Sequence, residues 1–490
     1  MNRSMIRYVF GSIMLLEGVL LLLPVIISFI YREPEGVIYL AVGAVCIILG
    51  LVIRAFKFTN KNFFTKDGFV CVSLCWLALS LVGAVPFVLT GEIPSYVDAV
   101  FETISGFTTT GATILTDVEF LSKTSAFWRC FTHWIGGMGV LVFIIAIMPL
   151  SGNSSMYLYQ AESPGPSAGK LVPRMRQTAF LLYTIYFGIT VTEFVALLIA
   201  GLNPYDAICT TVATVGTGGF GLYNSSIGGF SPAVQIIVGI FMVLCAVNFN
   251  FYYYIIFRKF KEALSMEEVH FFFATVIAVT AVITFNIRNM YSGVLEAARH
   301  AFFQVASLIS STGFSTVDYD KWPELSKTLI LCLMFVGACA GSTGGGLKVS
   351  RFLIAFKAVL NEVELIAHPH GVRRVRMNRK VVENNVVRSV MGYVAVSVCI
   401  LAGSTLLLSV DGFSFTTNFT AVLSCMSNMG PGLEMVGPAG NYSAFSDFTK
   451  IVMMFDMLAG RLEIFPVLIL FSPSLWRFRS PFKKKIRDIK

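Results

Sequence analysis

The sequence predicts an all-α polytopic membrane protein: four fused helix–pore-helix–filter–helix repeats around one pore, preceded by an N-terminal two-helix hairpin. Three observations carry that expectation. The 490-residue chain is 56% hydrophobic and only 13% charged, with a mean hydropathy of +0.74, far more apolar than a soluble globular protein. Its apolar runs are long enough to cross ~30 Å of hydrocarbon at ~1.5 Å per residue. One local pattern is written four times, as DAVFETISGFTTTGA, DAICTTVATVGTGGF, HAFFQVASLISSTGF and TNFTAVLSCMSNMGP, so that Gly111, Gly219, Gly313 and Gly430 each fall 13 residues after Asp98, Asp206, His300 and Thr417.

Ten runs qualify as spans: 8–30, 37–53, 69–90, 127–150, 178–201, 232–257, 269–286, 328–358, 386–409 and 449–472. The first follows Arg3 and Arg7 but is too long for a signal h-region and has no small-residue cleavage site, so it is expected to stay as a span. Residues 1–66 then form the hairpin. The rest divides into repeats at 67–151, 152–264 with a preceding cytoplasmic loop, 265–360, and 361–490 with a basic tail. Each repeat reads long helix, short helix, glycine strand, long helix. The short stretches are about half of what a spanning helix needs, which makes them re-entrant.

The net charge of +9 is informative through its placement. Arg54, Lys57, Lys61 and Lys66, then Arg258, Lys259 and Lys261, then Arg373, Arg374, Arg376, Arg379 and Lys380, then Lys483, Lys484, Lys485 and Arg487 all fall on the side of the amino terminus. The positive-inside rule makes that side cytoplasmic, with both termini there. These bases are therefore expected to set topology in the lipid bilayer, and no nucleic-acid partner is expected. The opposite side carries Asp98, Glu102, Asp117, Glu119, Asp206, Asp318, Asp320, Glu324 and Glu434, near the glycine motifs. The ten cysteines contain no CxxC pair and mostly lie in apolar runs, as packing residues do.

A short helix that stops inside the membrane leaves carbonyls unpaired at its carboxyl end, which its dipole makes partially negative. A cation is favoured there. The residues that follow, Thr109, Thr110 and Gly111; Thr217, Gly218 and Gly219; Ser311, Thr312 and Gly313; and Asn428, Met429 and Gly430, offer backbone oxygens from four sides. Glycine permits torsions that a Cβ resists, and four such strands make oxygen rings able to replace an ion's hydration shell. In the second copy either Gly218 or Gly219 is the counterpart of Gly111.

The chain resembles the Trk/Ktr/HKT superfamily of potassium transporters, most closely the TrkH-type bacterial subunit. The match runs through SGFTTTGAT at 105–113, HWIGGMGV at 133–140, ATVGTGGF at 213–220, STGFSTVD at 311–318, GACAGSTGGGLKVSR at 337–351, NMGPGL at 428–433 and GRLE at 460–463. The resemblance implies potassium uptake across the bacterial plasma membrane through a single pathway, a homodimer, and gating by a cytoplasmic ring of RCK subunits, the only place for a nucleotide. Gly111 stands where sodium-selective plant relatives tend to carry serine, which favours potassium. Asn428 and Met429 depart from the usual hydroxyl residues, leaving the fourth side to its backbone carbonyls.

The run at 328–358 contains Gly337, Gly341, Ser342, Thr343, Gly344, Gly345 and Gly346. At ~1 kcal/mol per glycine a continuous helix is disfavoured, leaving either an intramembrane loop or a tightly packed kink. The resemblance makes it a loop that obstructs the pathway below the filter, at residues 341–348 including Lys348. Arg461, near the middle of the last predicted span, must face the pore or a partner, since a lone charge in lipid costs at least ~2.5 kcal/mol. The resemblance gives it the role of a barrier to cations; the alternative is a structural pair with Glu463 or Asp456. Arg129 and His133 are expected to anchor an outer interface rather than to line the pore. Five scattered histidines, with no HExxH or GxSxG, do not make an enzyme site. The rival function is a proton- or sodium-coupled symporter, for which Glu193 and Asp456 are the buried acids available.

Overall fold

Among the described residues six helices are apolar and long enough to cross a bilayer: Ile6–Tyr31, Gly36–Ala55, Asp67–Leu89, Gln177–Ile199, Glu267–Met290 and Asn384–Asp411. They fall on the two hairpin spans and on the first long helix of each predicted repeat. The computed structural model describes residues 3–56, 65–139, 175–369 and 373–471. Among them the second long helix of every repeat is interrupted, a correction to four of the ten continuous spans expected from hydropathy.

The interruptions have separate causes. In the first repeat Lys123–Gly137 ends at a glycine pair and Gly139 takes φ +83°; the rest of the predicted span lies outside the described residues. In the second, Pro232–Ala246 and Phe249–Ile256 meet at 91°. Asn248 accepts from Asn250 N–H (2.9 Å), capping the new helix, while Ala246 O accepts from Cys339 N–H (3.0 Å) and Gly341 O from Phe249 N–H (2.9 Å). The freed backbone groups are thus satisfied by the glycine-rich segment of the third repeat, which is what allows non-helical backbone at membrane depth. In the third repeat Glu324–Val336 and Val349–Ala367 flank that segment as a true loop. In the fourth, Asp447–Arg461 and Ile464–Ile469 are separated by Leu462 and by Glu463 at φ +65°. Arg461 therefore terminates a helix at the break and does not sit in a continuous span.

The short helices are Tyr96–Phe107, Pro204–Val215, Val294–Ile309 and Phe415–Ser427. Three begin with a side-chain cap: Ser95 on Asp98 N–H, Asn203 on Asp206 N–H and Ser414 on Thr417 N–H. Such a cap stabilises a helix start by about 1 kcal/mol. The third starts at Val294 behind an uncapped Gly293 and is longer by about a turn. The only paired β-strands among the described residues are a two-residue antiparallel pair, Arg376–Met377 with Lys380–Val381; the glycine strands are extended backbone without ladder pairing. Large apolar side chains such as Phe29, Ile199, Phe285 and Leu295 are exposed on the long helices or beside their ends, as lipid-facing surfaces require.

Candidate functional site

Each short helix runs directly into a strand with the same unusual backbone. Thr109, Thr217, Ser311 and Asn428 take φ +57°, +56°, +57° and +50°, and two residues later Gly111, Gly219, Gly313 and Gly430 take +79°, +80°, +88° and +89°. Left-handed conformations are uncommon for residues with a Cβ, so four at equivalent places mark one repeated design. The pattern settles the second copy: Gly219, not Gly218, is the counterpart of Gly111.

The strands close a ring. A Cβ placed on Gly111 would run into Gly218 O, one on Gly219 into Thr312 O, one on Gly313 into Met429 O, and one on Gly430 would lie 2.8 Å from Thr110 O. In every case the obstacle is the carbonyl of the residue before the next repeat's glycine. First meets second, second third, third fourth, and fourth first. A methyl group cannot enter any of the four joints, which is why all four positions are glycine.

Most side chains along the strands are already engaged. Thr110 Oγ1 shares a proton with Thr108 Oγ1 (2.8 Å) and Thr312 Oγ1 with Ser310 Oγ (2.7 Å), while Thr217 Oγ1 donates to Gly216 O (2.6 Å). Asn428 Nδ2 donates to Thr110 Oγ1 and to Met457 O, both at 2.9 Å, so its amide ties the fourth strand to the first. Backbone oxygens are therefore most of what the ring has to offer an ion, beside the unpartnered Thr109 Oγ1 and Asn428 Oδ1. Outside the ring a cavity of about 150 Å³ is lined by all four glycines together with Arg129, Asn224 and Tyr442. Near its rim Glu434 accepts from Ser414 and from Thr417 Oγ1, bonds that hold its carboxyl below the usual carboxylate range and tie the outer loop to the start of the fourth short helix.

Beneath the ring lies the glycine-rich loop. Gly345 N–H donates to Ser311 Oγ in the third strand, Thr343 Oγ1 donates to Cys245 O (3.1 Å), and Ser342 Oγ to Cys339 O (2.7 Å). Lys348 is buried and its ammonium donates to Gly344 O, inside the loop. Gly341 and Gly346 take φ +67° and +81°. Arg461 reaches the loop from the fourth repeat, donating to Thr343 O (2.7 Å) and to Gly136 O (2.5 Å) and Gly137 O (2.6 Å) at the carboxyl end of Lys123–Gly137. Its charge thus meets the partially negative end of a helix. Of the structural partners expected for it, Glu463 is held by Arg351 at 2.5 Å and Asp456 accepts from Ser404 Oγ (2.9 Å).

A sequence model of the TrkH family, described as "Cation transport protein", matches residues 37–478. The chain belongs to the TrkH family. It is 35% identical to the Trk system potassium uptake protein TrkH of Escherichia coli K12, over 97% of this chain and all of that one, and 34% identical to TrkH of Halomonas elongata at the same shares. Its fold matches the crystal structure of the potassium transporter TrkH from Vibrio parahaemolyticus with a TM-score of 0.86 at 30% identity, covering 97% of this chain and 100% of that one. TrkH-family membership makes this chain a multi-pass membrane transport protein and not an enzyme.

Several site residues of this TrkH-family chain were not legible as such. Arg129, expected as an interface anchor, bonds across to Gly221 O (3.1 Å) of the second repeat and also lines the outer cavity. His133 is buried between repeats, with Nε2 accepting from Phe220 N–H (3.2 Å) and Nδ1 donating to Gly106 O (2.8 Å). Glu268 braces both ends of the loop, its Oε1 accepting from Ala340 N–H (2.6 Å) and Ser350 N–H (3.1 Å). Nothing in the local sequence marks Glu268, because its partners lie far along the chain; only its place at the start of an apolar span hinted at a paired charge.

Proposed function

We propose that this chain takes up potassium across the bacterial plasma membrane through the glycine-strand ring, with both termini cytoplasmic. The observation that carries the proposal is the cyclic joint geometry: each repeat's glycine meets the carbonyl before the next repeat's glycine, and the fourth closes on the first. The ion is held by the backbone oxygens of Thr109 to Gly111, Thr217 to Gly219, Ser311 to Gly313 and Asn428 to Gly430. Residues 341–348 and Arg461 obstruct the route below, and a cytoplasmic nucleotide-binding RCK-type subunit acting on a homodimer relieves the obstruction. The relatives' names as potassium uptake proteins support this assignment. The test is uptake by purified protein in liposomes, with sodium and rubidium as competitors. Potassium-preferring flux down its gradient is expected; flux that requires a proton or sodium gradient would replace this proposal with the symporter.

That alternative rests on Glu193 and Asp456. Both are buried, but Glu193 lies beside Thr214, on a short helix, and Asp456 against Ser404, on a long one, and neither lines the cavity at the four glycines. Gating has its own test. Deleting residues 342–346 removes the segment bonded to Ser311, Cys245 and Arg461, and basal flux without the cytoplasmic partner should rise several-fold. Folded deletion protein with equal or lower flux would rule out an obstruction.

A further inference from the structure

The first joint of the ring differs in chemistry from the other three. Beyond the glycines, neighbouring strands are tied by neutral hydrogen bonds at three joints. Ile227 N–H donates to Ser315 O (3.0 Å) between second and third, and Tyr319 Oη–H to Gly432 O (2.9 Å) between third and fourth. Tyr442 N–H donates to Thr113 O (2.8 Å) between fourth and first. Between first and second, beside the neutral bond of Val118 N–H to Asn224 Oδ1 (2.9 Å), the tie is charge-assisted, made by an arginine that is ion-paired within the first repeat. Glu102, on the first short helix, accepts from Thr113 Oγ1 (2.9 Å) and Ile114 N–H (3.0 Å), the residues that continue the strand past Gly111. It also accepts from Arg129 Nε (2.6 Å). Arg129 Nη1 in turn donates to Gly221 O (3.1 Å), and its guanidinium lies 3.6 Å from the ring centroid of Phe220, both just past Gly219.

With side chains 3% and 0% exposed, this is the most deeply buried ion pair among the described residues. At the same offset before the glycine the other copies carry Thr210, Gln304 and Ala421, so no other short helix holds a carboxylate at this place; a second ion pair across a joint, Lys450 with Asp98 (2.6 Å), lies instead at the start of the first short helix. Gln304 Nε2 reaches only Val317 O (3.2 Å) of its own repeat.

We infer that Glu102 and Arg129 are positioning residues that set ion preference by clamping the outer ends of the first and second strands. The inference rests on the ring being the selectivity element. Charge-assisted hydrogen bonds are shorter and stronger than neutral ones, and Arg holds its donors in a fixed fork. The pair therefore fixes where the carbonyls between Thr110 and Gly111, and between Gly218 and Gly219, point. Without it the strands relax outward and the ring accommodates a range of hydrated or partly hydrated ions.

The test is the potassium-over-sodium flux ratio of variants in liposomes, read beside their melting profiles. Removing one charge leaves the other buried and unpaired, so the informative variant is the double Glu102→Gln/Arg129→Gln, which leaves none. Its ratio should fall roughly tenfold, the equivalent of one lost charge-assisted hydrogen bond, with melting near that of the wild type. Arg129→Lys should fall as well, since it keeps the charge at the mouth but loses the fork. A folded double variant with the wild-type ratio overturns the inference, and so does full rescue by lysine, which would reduce Arg129 to a charge at the mouth. Should the double variant not fold, Thr113→Val decides by the same ratio, because it frees one strand from Glu102 and alters no charge. Gly313→Ala in the same assay separates the two levels: if it loses preference while the clamp variants keep theirs, only the clamp falls. If it too is unchanged, the ring is not the selectivity element.

Discussion

Gly111→Ser is expected to lower the preference for potassium over sodium by roughly tenfold or more, the largest selectivity change available from one substitution in this chain. Two effects act together. The position has φ +79°, which a residue with a Cβ occupies at a cost of about 1 to 2 kcal/mol. The new Cβ would also overlap Gly218 O, the carbonyl of the neighbouring strand at the same level. The strain cannot be relieved by a rotamer, because the obstacle is backbone, so the second strand must move. One of four carbonyls then leaves the ring, and the remaining oxygens match a dehydrated potassium ion less well. Flux competition between potassium and sodium in the purified variant is the measurement; normal flux with unchanged preference would refute the assignment of the ring. Gly219→Ala and Gly313→Ala should behave alike, since their obstacles are Thr312 O and Met429 O.

The fourfold plan was legible because its spacing is rigid: the turn that follows a short helix allows no insertion between the left-handed residue and its glycine. The short helices begin three residues before the repeated Asp98, Asp206 and Thr417, at Ser95, Asn203 and Ser414, whose side chains cap those same residues' N–H groups. The breaks in the second long helices were visible only where glycines announce them. Asn248 reads as one polar residue in an apolar run, and what bends the chain there is a pair of hydrogen bonds to Cys339 and Gly341 of another repeat. Likewise the arginine at 461 was conspicuous as a charge, while its acceptors are carbonyls of Gly136, Gly137 and Thr343, which any residue carries. Interactions that depend on backbone atoms leave no mark on residue identity. The clamp at Glu102 and Arg129 was hidden for a related reason, since topology places both charges on the outer side and only the packed structure pairs them and bonds them to the first and second strands.

Arg461→Ala is expected to raise ion flux by tens-fold. A unit charge about 7 Å from an ion, at an effective dielectric of ~20, opposes it by roughly 2 to 3 kcal/mol before screening, and each ~1.4 kcal/mol is a factor of ten in rate. The contacts add a mechanical part to this electrostatic one. The guanidinium joins the fourth repeat to Thr343 in the loop and to Gly136 and Gly137 at the end of a first-repeat helix, so its removal also unlatches the obstruction. Arg461→Lys separates the two contributions. Lysine keeps the charge but is a single point donor on a flexible stem and cannot span three carbonyls from two repeats. If repulsion dominates, the lysine form should stay close to wild-type flux; if the latch dominates, it should approach the alanine form. A purely structural arginine makes a different forecast: the alanine form would express poorly and melt early, and its folded fraction would conduct as the wild type does. Flux per folded molecule, measured with the melting profile of each variant, distinguishes all three, and a stable alanine variant with unchanged flux would eliminate both the barrier and the latch.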